Sequence, residues 1–205
     1  MVDIKSIMQE TTPELNARIA LRVLELRTAL GLTLDALASR SGVSRSMISL
    51  IERGESSPTA VVLDKLATAL DVPLASLFDS PAEPMAASGP IARRADQAEW
   101  IDPASGYRRR NVSPPAVKQP MKIVDVEFPA RARVAFETSG GEARVHQQVW
   151  VFEGSIEISQ GGIVHRLGPG DCLAMQLDSP VMFHNPTRQL ARYAVVVASE
   201  TGARR

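Results

Sequence analysis

The sequence predicts two domains: an all-α domain of five helices, then an all-β barrel or jelly roll. Three observations carry this reading. Residues 13–79 place apolar side chains at steps of three and four. Residues 107–198 alternate instead, in Val- and Ile-rich runs broken by Gly turns. Between them Ser80–Pro90 carries three prolines and little to bury, which suits an exposed linker. The expected boundaries are therefore 13–79, 80–90 and 91–205, with the β core at about 118–198.

Each helix has its own signal. Leu15, Ile19, Val23, Leu26 and Leu30 share one face of the first, which Gly31 stops. Thr33 can cap the second, which offers Leu34, Leu37 and Ala38 to the core. Ser41-Gly42-Val43 forms a turn. Ser44 caps the third helix, with Ile48 and Ile51 inward, and Gly54 ends it. Thr59 starts the fourth, with Leu63, Leu66, Ala67 and Leu70 inward. Asp71-Val-Pro73 leads to a short fifth helix ending near Phe78.

Composition excludes some classes and leaves others open. Apolar residues are 44% and charged residues 22%, an ordinary balance for a folded domain. No run of 18 apolar residues marks a membrane span. Met1–Glu10 lacks the basic start and apolar core of a secretory signal, and Cys172 is the only cysteine. A cytoplasmic protein with no membrane partner and no cofactor is expected. The net charge is zero, and residues 1–80 hold eight basic against ten acidic residues, a net of −2. Overall charge thus gives no support for nucleic-acid binding.

Two helices joined by a tight glycine turn fit either a small bundle or a helix-turn-helix unit, whose second helix enters the major groove. A resemblance separates the two. Leu26-Arg27, Gly31-Leu-Thr-Leu-Asp-Ala-Leu-Ala38, Gly42-Val-Ser44, Ile48-Ser-Leu-Ile-Glu-Arg-Gly54, Pro58 and Leu66-Ala-Thr-Ala-Leu70 resemble the phage-repressor (Xre-type) helix-turn-helix family, without a gap over residues 17–78. The resemblance implies a recognition helix from Ser44 to Arg53 that reads a double-stranded operator. Ser44 would offer a hydroxyl and free N–H groups to a phosphate. Arg45 could pair bidentately with guanine, beside Ser46. Ser49 and Leu50 lie one turn on, and the family often has a polar residue where Leu50 stands. Arg40 and Arg53 flank the motif as phosphate contacts, and Thr33 completes the DNA-facing set. Arg27 and Glu52 are implied to form a structural ion pair between the first and third helices. Glu55 stands where the family often has a basic residue, so a lone domain should bind weakly and a homodimer is expected.

The second half resembles the cupin fold over about residues 118–198. Val149-Trp-Val-Phe-Glu-Gly154 and Gly168-Pro-Gly-Asp171 carry the likeness. In regulators of this architecture the barrel senses a small molecule or supports dimerisation. Many cupins are metal enzymes, so the ligand places matter. Counting from Gly154, Gln147 occupies the glutamate place, and the two histidine places fall among Gly140–Ala143. Counting from Gly170, Val181 occupies the next histidine place, with Asn185 four beyond. Strand alternation turns His146 and His184 away from an interior lined by Gln147, Val149, Val181 and Phe183. Those four are the expected ligand pocket, with Gln147 the polar handle; a filled core that only holds a dimer is the alternative. Cys172 reads as a small buried apolar residue. Arg108-Arg-Arg110 reads as a solvated edge strand, or else as an anion or interface site.

The expected function is a sequence-specific DNA-binding regulator, a repressor, with a metal-free cupin domain and an unidentified effector. It would not be an enzyme. The alternatives are a metal-dependent cupin enzyme with an accessory DNA-binding domain, and a helix-turn-helix protein that acts only as an interaction module.

Overall fold

The computed structural model describes residues 4–72, 74–78, 90–114, 120–136 and 144–200. Helix α1 spans Ile4–Ala29, α2 Leu34–Ser41, α3 Arg45–Glu52 and α4 Ala60–Ala69. Leu15, Ile19 and Val23 of α1 bury against Leu37, Ile48, Ile51, Leu63 and Leu66. The apolar repeat from Leu15 onward therefore found the packed part of α1. It missed the stretch from Ile4, which is joined to the rest of α1 through Thr11, Thr12 and Pro13, residues of low helix propensity. Leu30 lies beyond the helix end and is half exposed. Among the described residues there are four α-helices, and the expected fifth is a 3₁₀ turn, Leu74–Phe78. Five residues are too few to offset the cost of nucleating an α-helix, and the tighter turn suffices to bury Leu77 and Phe78.

The β half contains β1 (Glu99–Ile101), β2 (Arg108–Asn111), β3 (Met121–Phe128), β4 (Arg133–Phe136), β5 (Arg144–Glu153), β6 (Ile156–Gln160), β7 (Ile163–Leu167), β8 (Cys172–Gln176), β9 (Val181–His184) and β10 (Ala191–Glu200). Among the described residues these form two antiparallel sheets rather than one closed barrel: β1-β2-β3-β10-β5-β8 and β4-β9-β6-β7. Val195 of β10 pairs with Val124 of β3 and with Val149 of β5. The inward residues of both sheets, among them Phe128, Val151, Tyr193, Ile158 and Phe183, make the core. The first sheet begins at Glu99, ahead of the expected core near residue 118.

Two expectations about β residues are corrected. Cys172 is exposed. It shares the outer face of edge strand β8 with Ala174 and Gln176, while Leu173 and Met175 turn toward the core. The arginine triplet is not a solvated edge either. Strand β2 is flanked by β1 and β3, and Arg109 and Arg110 are buried. Arg110 pairs with Asp125 and, at 3.4 Å, with Glu99. Burial raises the Asp125 carboxyl, but hydrogen bonds from Arg192 and Arg110 outweigh it and leave the pKa below the ordinary aspartate range.

The helical and β halves are docked. Asp102, on the loop between β1 and β2, is buried, and its Oδ1 accepts the Ala60 N–H at 2.9 Å. One of the four orphan donors of α4 is thus satisfied by the other half of the chain, while Thr59 accepts from Val62. Beside this bond Phe78 meets Trp100 edge to face at 5.6 Å. The contacts continue inward from Trp100 through Tyr107, Phe128, Tyr193 and Phe183 to Phe136, each pair 5.7–6.1 Å apart. The linker from Ser80 lies, except for Pro90, outside the described residues.

Candidate nucleic-acid interface and the cavity behind it

The turn between α2 and α3 is built from local polar bonds. Gly42 takes a left-handed backbone, φ +66°, and its N–H closes α2 on Ala38. Ser41 Oγ donates to Leu37 and accepts from Val43, which ties the turn from inside. Ser44 then caps α3, its Oγ accepting the Met47 N–H at 3.3 Å and lying 3.2 Å from Ser46 Oγ. Ile48 and Ile51 anchor the buried face. The opposite side presents Ser44, Arg45 and Ser46, all exposed, with Ser49 and Leu50 partly buried one turn on. Exposed Arg40 ends α2, and Thr33 caps that helix by accepting the Ala36 N–H.

Acidic neighbours hold two cations of this face, Arg45 and Arg53. Arg45 Nε lies 3.2 Å from Asp35, both side chains mostly exposed. Such a pair contributes at most about 1 kcal/mol and exchanges readily for a phosphate or a guanine. Arg53 is held more firmly, by two 2.9 Å bonds to Glu55 and one to Ser49 Oγ. The hydrogen bond to Glu55 raises Arg53 above the ordinary guanidinium value and lowers Glu55 in turn. A phosphate contact by Arg53 therefore competes with Glu55 for this guanidinium. Arg27 faces the other way. Its Nε and Nη2 donate to Glu52 at 2.6 and 2.8 Å, and Nη1 donates to the Leu32 carbonyl at 2.8 Å. The pair is largely buried and fastens α3 to α1.

Behind this unit, at the seam of the two halves, lies a cavity of about 130 Å³. The helical half supplies Asp64, Ala67, Thr68 and Asp71 from α4 and its end. The β half supplies Tyr107, Arg109, Gln147, Val181, Phe183 and Tyr193, among others. Burial raises both tyrosines above the ordinary phenol range, Tyr193 well above, so both are neutral near pH 7.

Residues 23–77 match the family model described as "Helix-turn-helix". The N-terminal domain is a helix-turn-helix domain. Over 57 residues it is 46% identical to the HTH-type transcriptional regulator SutR of Escherichia coli strain K12. That match covers 28% of this chain and 32% of the curated relative, so the chain spans about a third of the relative's length. A solved HTH_3 family transcriptional regulator from Vibrio cholerae is similar throughout: 25% identity, 91% of this chain, 97% of that chain and a TM-score of 0.71. The Cupin_2 domain of an XRE family transcriptional regulator from Enterobacter cloacae is a remoter likeness, with 16% identity over 45% of this chain and 95% of that one, at a TM-score of 0.41.

Of the pocket residues expected from sequence, Gln147, Val181 and Phe183 line the cavity behind the helix-turn-helix domain. Val149 is fully buried but is not part of the lining. His146 is exposed, and His184 bonds Glu157 at 3.1 Å. Asn185 is fully buried and donates to the carbonyls of Phe128, Pro129 and Gln189, a structural knot rather than a ligand contact. The histidine places among residues 140–143 lie outside the described residues. No group of three or more His, Cys, Asp or Glu among the described residues is placed to hold a metal ion. An amide at 147 and an isopropyl group at 181 do not fit a cupin metal centre. No described helix is long and apolar enough to cross a membrane.

Sequence reasoning missed the α4 side of the cavity, as well as Tyr107 and Arg109 as lining residues. One signal was available. In Tyr107-Arg-Arg109 the alternate residues share a strand face, which would have set Arg109 beside an aromatic neighbour rather than in solvent.

Proposed function

We propose that the chain is a sequence-specific DNA-binding transcriptional regulator, a repressor, acting as a cytoplasmic homodimer on a partly palindromic operator. The observation that carries this reading is the capped α3 with Ser44, Arg45 and Ser46 exposed at its N-terminus. A helix N-terminus with free N–H groups suits a phosphate, and an exposed arginine beside it suits a guanine edge. The similarity of residues 23–77 to a regulator's domain supports it. The net charge of −2 over residues 1–80 and the Arg53–Glu55 pair favour a dimer, since two half-sites compensate for weak single contacts.

The β domain is a metal-free cupin that senses a small molecule, and the chain is not an enzyme. Gln147 and Val181 at the ligand places support this. Stoichiometric iron, nickel, manganese or zinc in the purified protein would overturn it.

Selection from a random DNA pool identifies the operator. Arg45→Ala is expected to weaken it by about 1–3 kcal/mol and to relax preference at one base, with the circular-dichroism spectrum unchanged. Unaltered affinity and preference would overturn the assignment of the groove face. Affinity should also fall steeply with salt as counterions are released.

A further inference from the structure

Three arginines of this chain hold carboxylates by the same edge. Nε and Nη2 of Arg27 bind Glu52, those of Arg53 bind Glu55, and those of Arg192 bind Asp125. That edge is the side-on fork that matches the two oxygens of a carboxylate. Arg109 lines the seam cavity at only 7% exposure. Its Cζ lies 4.8 Å above the Phe78 ring, and its Nε and Nη2 have no hydrogen-bond partner among the described residues. A guanidinium is always charged, and here two of its three nitrogens are buried without an acceptor, which is costly. The edge without a partner is the carboxylate-binding one, and since both its nitrogens are shut off from solvent, an anion in the cavity reaches it by a turn of the Arg109 side chain.

We propose that Arg109 is the anchor of an effector site that takes a small apolar monocarboxylate. This rests on the reading of the β domain as a sensor and adds the class of molecule sensed. Three properties of the cavity set that class. Its walls around Arg109 are mostly apolar, with Val126, Val181, Phe183 and Val195 among them. Its volume, about 130 Å³, is close to the roughly 150 Å³ of an engineered apolar cavity that holds benzene. Asp71 also lines it, so repulsion grows with the charge of the ligand and a monoanion is favoured over a dianion. The Gln147 amide and the two neutral phenols supply further polar contacts without adding charge. Because Asp64, Ala67, Thr68 and Asp71 form one wall, an occupant touches the DNA-binding domain directly. Its size and shape bear on how that domain sits.

The test is calorimetry on the full chain with benzoate, cyclohexanecarboxylate and 3-methylbutanoate, each against its primary amide. At least one carboxylate should bind saturably, about 10–100-fold more tightly than its amide, as expected for charge-assisted bonds. Arg109→Met should abolish that preference, so that acid and amide bind alike. Equal binding of acid and amide, no saturable binding of any of the three acids, or a preference retained in Arg109→Met would each overturn the proposal. The acid–amide comparison stands on the wild type alone if the variant does not fold. Operator binding without ligand is measured separately. Its failure would count against the regulator reading and leave the anion site standing.

Discussion

Arg27→Met is expected to destabilise the helix-turn-helix domain by about 3–5 kcal/mol, because it strands the Glu52 carboxylate in a largely buried position. The methionine replaces the stem of the arginine but none of its three bonds. Two of those reach Glu52, and the third satisfies the Leu32 carbonyl just past the end of α1. Operator binding should vanish with the fold, not through a lost base contact. The double variant Arg27→Met/Glu52→Met separates the two explanations. Removing both charges together should recover most of the loss in a urea titration, since paired buried ions are often replaceable by apolar groups. A double variant as unstable as the single one would show that the Leu32 bond carries the effect.

Gly154→Val should be comparably damaging in the β domain. Gly154 sits at the turn from β5 to β6 with φ +71°, a left-handed backbone that β-branched residues rarely adopt. A Cβ there would lie 2.6 Å from the Leu190 carbonyl oxygen and 2.8 Å from Ala191 Cα. Both obstacles are backbone, so the start of β10 must move. Strain of about 1–3 kcal/mol and displacement of about 1–3 kcal/mol together predict a loss of several kcal/mol. Gly161→Ala is the control. It has φ +56° but open space around it, so only backbone strain applies and the urea midpoint should shift far less. Equal shifts in the two variants would mean that the contact with β10 contributes little.

Local patterns were legible and long-range ones were not. The apolar faces of α2, α3 and α4 and their caps could be read because the determinants lie within four residues of each other. Strands β3, β7, β8 and β9 fall inside the alternating stretch 107–198, because alternation and Gly turns mark them. Strand β4 escaped notice. Its alternation of buried Ala132 and Val134 with exposed Arg133 and Ala135 is short and lacks the Val- and Ile-rich run that marks the others. The exposure of Cys172 depends on which strand ends the sheet, which no neighbouring residue specifies. The seam cavity was least visible, since Asp64, Arg109, Gln147 and Tyr193 come together only through tertiary packing. The Arg27–Glu52 pair, also distant in sequence, came from the family resemblance and not from spacing.

The ring contacts across the seam give the molecule an optical probe of its own. Of its two tryptophans, Trp100 is 1% exposed, wedged between Phe78 and Tyr107 where the halves meet. Trp150 is 51% exposed and leans on Phe152 at the outer surface. A soluble quencher therefore reaches one indole and not the other. With Trp150→Phe, the remaining emission comes from the junction alone. Its wavelength and lifetime then follow any shift between the helix-turn-helix half and the cavity-bearing half, with no attached dye.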